Sequence, residues 1–127
     1  MWHAGPVIPQ DVVDLVPVWL ALPDVAERIG RSVTDVRRLV EDRELIAVRV
    51  GERGILSVPE AFVDAQGPLA ALKGTFTVLA DGGMDQVETL RWLFTPDPTM
   101  PGGGTPIDAI RAGFKTEVRR RAMELAL

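Results

Sequence analysis

The chain contains no cysteine. Disulfides, Cys-ligated zinc, iron–sulfur clusters and thiol nucleophiles are therefore excluded, and a reducing compartment is the expected setting. Histidine occurs once, as His3, too near the N-terminus to be supported as a base or metal ligand. Serine is scarce, and Ser32 and Ser57 both fall where a helix cap and a strand are expected. No apolar run reaches the length of about 18 residues that a membrane span needs. The first 27 residues hold four acids and no Lys or Arg, so the basic segment that opens a signal peptide is missing. A cytoplasmic protein without contact to a membrane is expected. Gly102-Gly103-Gly104 is followed by Thr-Pro rather than Lys-Ser, which removes a phosphate-binding loop of the Walker type. Glu41-Asp42 are adjacent rather than opposed, and Asp81, Asp85 and Glu88 lack the loop spacing of a calcium site. The expectation is a protein that is no enzyme and that uses neither metal nor cofactor.

What the chain has is 46% apolar and 25% charged residues, the balance of an ordinary globular protein. The net charge of −4 argues against general adhesion to nucleic acid, but it is unevenly spread. Residues 28–53 carry seven arginines against five acids, a local +2, and six of those arginines lie between Arg31 and Arg53. Half of the 14 basic residues thus occupy one fifth of the chain.

Residues 1–18 read as a Pro-interrupted, partly flexible arm with a short helix near Asp11–Val16, tied down by the apolar Trp19–Leu22. Leu22-Pro23 opens a helix, since proline suits the first turn. Asp24 and Glu27 complement its dipole, Val25, Ala26 and Ile29 form its buried stripe, and Gly30 ends it. Ser32 caps a second helix, with Asp35 at the capping-box position. Val33, Val36, Leu39 and Val40 face inward, and the helix runs over 32–42. Two apolar β-rich runs, Leu45–Val50 and Ile55–Pro59, flank Gly51-Glu52-Arg53-Gly54 and predict a hairpin. Pro59–Val63 predicts a further helix. The order helix, turn, helix, hairpin, helix describes a winged helix-turn-helix over 19–66. Residues 67–127 predict a C-terminal helical domain. Its helices fall near 69–79, where Gly74, Thr75 and Thr77 weaken the pattern, and at 85–94, 107–112 and 115–127. A Pro- and Gly-dense loop spans 95–106. The fold class is mainly α with a small β-hairpin.

With Val36, Leu39 and Val40 inward, Thr34 and Arg38 point outward and Arg37 lies on the flank, at about 100° per residue. The N-terminal half of such a helix meets base edges in the major groove. Arginine there either donates twice to guanine or pairs with phosphate, and the sequence leaves both roles open. Arg31 and the Ser32 helix start suit phosphate. Arg49 and Arg53 extend the chemistry to the wing, the hairpin over 48–58. The candidate DNA-binding set is therefore Arg31, Ser32, Thr34, Arg37, Arg38, Arg49 and Arg53. Against it stands a plain solvated surface in which Glu41, Asp42 and Glu44 pair with the arginines, and neutralisation by Glu41, Glu44 and Glu52 would favour a protein-interaction module. Arg119-Arg120-Arg121 reads as dipole compensation near the end of the last helix rather than as a second DNA contact.

The run LPDVAERIGRSVTDVRRLVEDRELIAVRVGERGILSVPEAFV resembles the winged helix-turn-helix of MerR-type regulators and phage excisionases. The long dimerisation helix of MerR proteins has no counterpart here. With LKGTFTVLADGG, ETLRWLFTPD and GTPIDAIRAGFKTEVRRRAMELAL, the whole chain resembles small actinobacterial winged-helix DNA-binding proteins related to a mycobacterial regulator. The resemblance implies double-stranded DNA as partner and a role in transcription regulation. Residues 84–127 are more loosely similar to the C-terminal domain of Xre/ParS-type antitoxins, which implies homodimerisation or a protein partner through the C-terminal helices. In that alternative, DNA binding is secondary. Trp92 is either a core anchor or an interface residue.

Overall fold

The computed structural model describes residues 7–125, so His3 lies outside the described residues. The chain divides into two compact units, one ending at Leu69 and the other beginning at Ala70. None of the helices among the described residues is long and apolar enough to cross a membrane.

The first unit opens with α1 (Gln10–Leu15), started by Pro9, whose carbonyl accepts the first amides of the helix. Ile8, Val12 and Val16 are buried, and the Trp19 indole donates to the Val13 carbonyl at 3.1 Å. From Val7 on, the segment set apart by sequence as an arm contributes a helix and three core side chains. β1 (Trp19–Ala21) leads directly into α2 (Leu22–Ile29), where Pro23 sits in the first turn and Leu22, Val25, Ala26 and Ile29 are buried. Gly30 ends α2 in the left-handed region, φ 69°, and the Arg31 N–H closes onto the Ala26 carbonyl at 3.0 Å. α3 (Val33–Glu41) follows at once and packs against α2. Val36 and Leu39 are buried, whereas Val33 and Val40 are only half-buried.

α3 ends in the same kind of closure, but on an arginine. Arg43 adopts φ 60°, the only non-glycine with positive φ among the described residues. Its N–H bonds the Val40 carbonyl (3.1 Å) and the Glu44 N–H bonds Leu39 (2.9 Å), the paired closure that usually employs glycine. A left-handed side-chain-bearing residue costs about 1–2 kcal/mol. The apolar run Leu45–Val48 is fully buried, and only its end continues as β2 (Val48–Val50). β3 (Ile55–Pro59) pairs antiparallel with β2, Arg49 opposite Leu56, and also with β1, Leu20 opposite Val58. The sheet order is β1-β3-β2. The hairpin read from sequence is therefore part of a three-stranded sheet.

The helix predicted after Pro59 does not form. Glu60–Phe62 is a single 3-10 turn, after which Val63 is extended. Phe62 and Val63 are buried, and Asp64 accepts the Gln66 N–H at 2.8 Å. That side-chain turn reverses the chain into a small hairpin of β4 (Val63–Asp64) and β5 (Gly67–Pro68). The proline start signal is present, but the turn at Asp64 ends the helix before it can propagate.

The second unit consists of α4 (Leu72–Asp81), α5 (Gln86–Phe94), α6 (Pro106–Arg111) and α7 (Lys115–Leu125). α4 packs on α7 and α5, and α6 packs on α5 and α7. Leu72, Phe76, Leu79, Leu90, Leu93, Ile107, Ile110 and Val118 fill the core. Two reciprocal capping boxes start α5 (Asp85 with Glu88) and α6 (Thr105 with Asp108). Gly74 and Thr75, poor helix formers, have packing reasons. The buried Thr75 hydroxyl donates to the Ala71 carbonyl (3.0 Å), and a Cβ at Gly74 would overlap the Arg119 guanidinium.

Candidate nucleic-acid interface

Position in α3 follows from its cap and its buried pair. The Ser32 hydroxyl oxygen accepts the Asp35 N–H at 3.1 Å, fixing where the helix begins. Val36 and Leu39 turn one side into the core, which leaves Thr34, Arg37 and Arg38 exposed. Ser32 and Arg31 are exposed at the helix start. The Arg31 guanidinium reaches toward the β4–β5 hairpin, where a Cβ added at Gly67 would stand 3.5 Å from it. Arg31 and Arg38 line one surface groove of about 420 Å³ together with Asp35, Leu39, Asp42 and Glu44. Both charge signs meet there, yet among the described residues neither arginine forms a salt bridge or a side-chain hydrogen bond.

The wing is held by one of its own arginines. Gly51 and Gly54 take positive φ, 78° and 59°, and the Gly54 N–H closes the turn onto Gly51 at 3.0 Å. Half-buried Arg49 donates from Nη1 to the Gly54 carbonyl at 2.7 Å. Arg49 thus spans the turn from the strand, and Arg53 is left exposed at the tip. Sequence reasoning placed Arg49 and Arg53 in one role, and the structure gives them different surroundings. Arg28, also in the basic segment, pairs with Glu60 at 3.1 Å. Neutralisation by Glu41, Glu44 and Glu52 does not occur at Arg31, Arg38 or Arg53 among the described residues. Arg43, left out of the sequence-derived set, stands between two lining residues of the groove, Asp42 and Glu44. Nothing in composition or spacing signals its left-handed backbone.

The second basic cluster is spent within its own unit. Arg120 and Arg121 pair with Glu117 at 2.6 and 3.2 Å. Arg121 also donates to the Thr99 hydroxyl (2.9 Å) and carbonyl (3.0 Å), which ties the 95–105 loop to α7. Arg119 lies across Gly74 with its Nε buried and unpartnered among the described residues. Asp97 is held below the ordinary carboxylate value by the Thr99 hydroxyl and N–H and, more weakly, by Arg121. Glu117 is lowered by Arg120 and then Arg121. Ser32 caps α3, and the buried Ser57 hydroxyl donates to the Ile55 carbonyl at 3.0 Å. Trp92 is half-buried beside Met84, Glu88, Arg91 and Thr95.

Residues 7–63 match the family described as "DNA-binding protein Rv2175c, wHTH domain", and residues 69–126 match "Rv2175c C-terminal domain of unknown function". The DNA-binding protein Rv2175c of Mycobacterium tuberculosis (strain ATCC 25618 / H37Rv) is 35% identical over 91% of this chain and 86% of that protein. Its solution structure, determined by NMR, superimposes with a TM-score of 0.78 at 32% identity, covering 100% of this chain and 91% of the other. A winged helix-turn-helix followed by a helical domain, with similarity across nearly the whole length, places this chain in the Rv2175c family.

Proposed function

We propose that this protein is a sequence-specific DNA-binding regulator that acts by binding rather than by catalysis. α3 docks in the major groove, with Thr34, Arg37 and Arg38 toward base edges and Arg31 and the Ser32 helix start toward phosphate. The wing rests on the flanking backbone or minor groove, with Arg53 as the contact and Arg49 shaping the tip. The observation that carries this reading is the exposure of Arg38 and Arg53 without salt bridges among the described residues, despite adjacent acids. Unpaired, those guanidiniums keep their charge for a polyanion instead of sharing it with a neighbouring carboxylate. The family description, DNA-binding protein with a winged helix-turn-helix, points the same way.

The test is selection of bound sequences from a random duplex pool, repeated with Arg38→Ala and Arg53→Ala. The expected outcome is an enriched motif, an altered base preference for Arg38→Ala, and a uniformly weaker, less salt-sensitive binding for Arg53→Ala. Absence of an enriched motif, with both variants binding like the parent, would refute the reading. Binding as a dimer to two half-sites one helical turn apart, about 34 Å, is part of the proposal.

A further inference from the structure

We propose that Arg43 is a DNA-phosphate contact, kept in a backbone conformation that favours glycine because its guanidinium serves binding rather than folding. The inference rests on the docking of α3 proposed above. Among the described residues, three other helix ends close in the same way, at Gly30, Gly83 and Gly113, each with positive φ. At the fourth, directly after α3, the left-handed position is taken by arginine, φ 60°. A residue with a Cβ is strained there, so selection for stability alone favours glycine.

Among the described residues no hydrogen bond or ion pair of the exposed Arg43 side chain compensates for that backbone. Its sequence neighbours Asp42 and Glu44 line the groove that also holds Arg31 and Arg38, so the Arg43 backbone runs beside the surface assigned to DNA. A local backbone outlier beside a binding surface is where strain is retained for function. The rival explanation is that the charge complements the C-terminal end of the α3 dipole. The two differ in sign: a dipole role makes Arg43→Gly less stable and leaves binding alone, and a contact role does the reverse.

The experiment measures thermal midpoint and duplex affinity, the latter against salt concentration, for the full chain and for Arg43→Gly, Arg43→Asn and Arg43→Lys. The probe is a duplex of the selected motif or, failing one, a mixed-sequence duplex. Arg43→Gly is expected to raise Tm by about 2–5 °C. It should weaken binding about three- to tenfold and reduce the slope of log K against log salt by about one. Asn, which tolerates the left-handed region, should lose the same affinity, and Lys should keep affinity within about twofold. Unchanged affinity and salt slope in Arg43→Gly and Arg43→Asn overturns the proposal. If the parent binds and Arg38→Ala weakens it while Arg43→Gly does not, this inference alone falls. If the parent binds no duplex, the docking of α3 falls first.

Discussion

Arg49 and Arg53 sit four positions apart in one hairpin, and their surroundings assign different consequences to losing each. Arg49 Nη1 donates to the Gly54 carbonyl at 2.7 Å from a half-buried position. A hydrogen bond from a charged donor contributes more than a neutral one, and partial exposure brings the expected cost of Arg49→Ala to about 1 kcal/mol. Arg53 is exposed and makes no such bond among the described residues, so Arg53→Ala should change stability by less than about 0.5 kcal/mol. Both variants should weaken duplex binding, but only Arg49→Ala should also lower Tm. Arg49→Lys separates the roles, because it keeps the charge while replacing the planar guanidinium that reaches the carbonyl. Thermal melts paired with a binding titration check this, and equal Tm losses in Arg49→Ala and Arg53→Ala would contradict it.

Between elements, the α4–α7 contact turns on Gly74. Glycine inside a helix costs about 1 kcal/mol relative to alanine, yet a Cβ here would overlap the Arg119 guanidinium. Gly74→Ala alone should therefore gain less than about 0.5 kcal/mol, and in an Arg119→Ala background it should gain about 1 kcal/mol. A double-mutant cycle by denaturant unfolding measures the difference, and equal gains in both backgrounds would remove the steric explanation. The 95–105 loop yields a pH prediction. The Asp97 and Glu117 values are lowered in the folded protein by Thr99 and Arg120, with Arg121 contributing to both. Their stabilising contribution is thus present above the ordinary carboxylate range, about 4, and lost as the pH falls through the lower folded values. Amide exchange at Thr99 and Met100 should accelerate below about pH 4, and Arg121→Ala should flatten that acid dependence. An unchanged profile in the variant would separate the loop from this network. These cases also show where the sequence was readable. Ser32 and Gly30 are local signals, so the start of α3 and the end of α2 lay close to their expected places. β1 depends on Leu20 meeting Val58, a distant pairing in a three-residue strand with no pattern of its own. The missing helix after Pro59 depends on the Asp64 turn. At the interface, helical period identified the outward arginines. Which of them are engaged, as Arg49 is by Gly54 and Arg28 by Glu60, depends on folded neighbours.

For the molecule as a whole, the net charge of −4 combines a segment of local +2 with a remainder of −6. Far from its target, the acidic remainder repels a polyanion, so attraction is confined to α3, the turn before it, and the wing. Each neutralised phosphate releases counterions and contributes about −0.9 to the slope of log K against log salt. The arginines that one copy carries between residues 31 and 53 are Arg31, Arg37, Arg38, Arg43, Arg49 and Arg53, and they do not all meet phosphate, since some address bases and Arg49 also serves the turn. One copy should therefore show a slope of about −3 to −5, and two copies on paired half-sites about −6 to −10. Measuring the mass of the complex alongside the salt titration makes the two cases distinguishable. A dimer should give the steeper slope and a footprint spanning two successive major grooves. A slope much steeper than −5 for a complex shown to contain one copy would mean that basic residues outside this segment touch DNA. That result would reassign the Lys115–Arg121 region, whose Arg120 and Arg121 are bound to Glu117, from internal bracing to the interface.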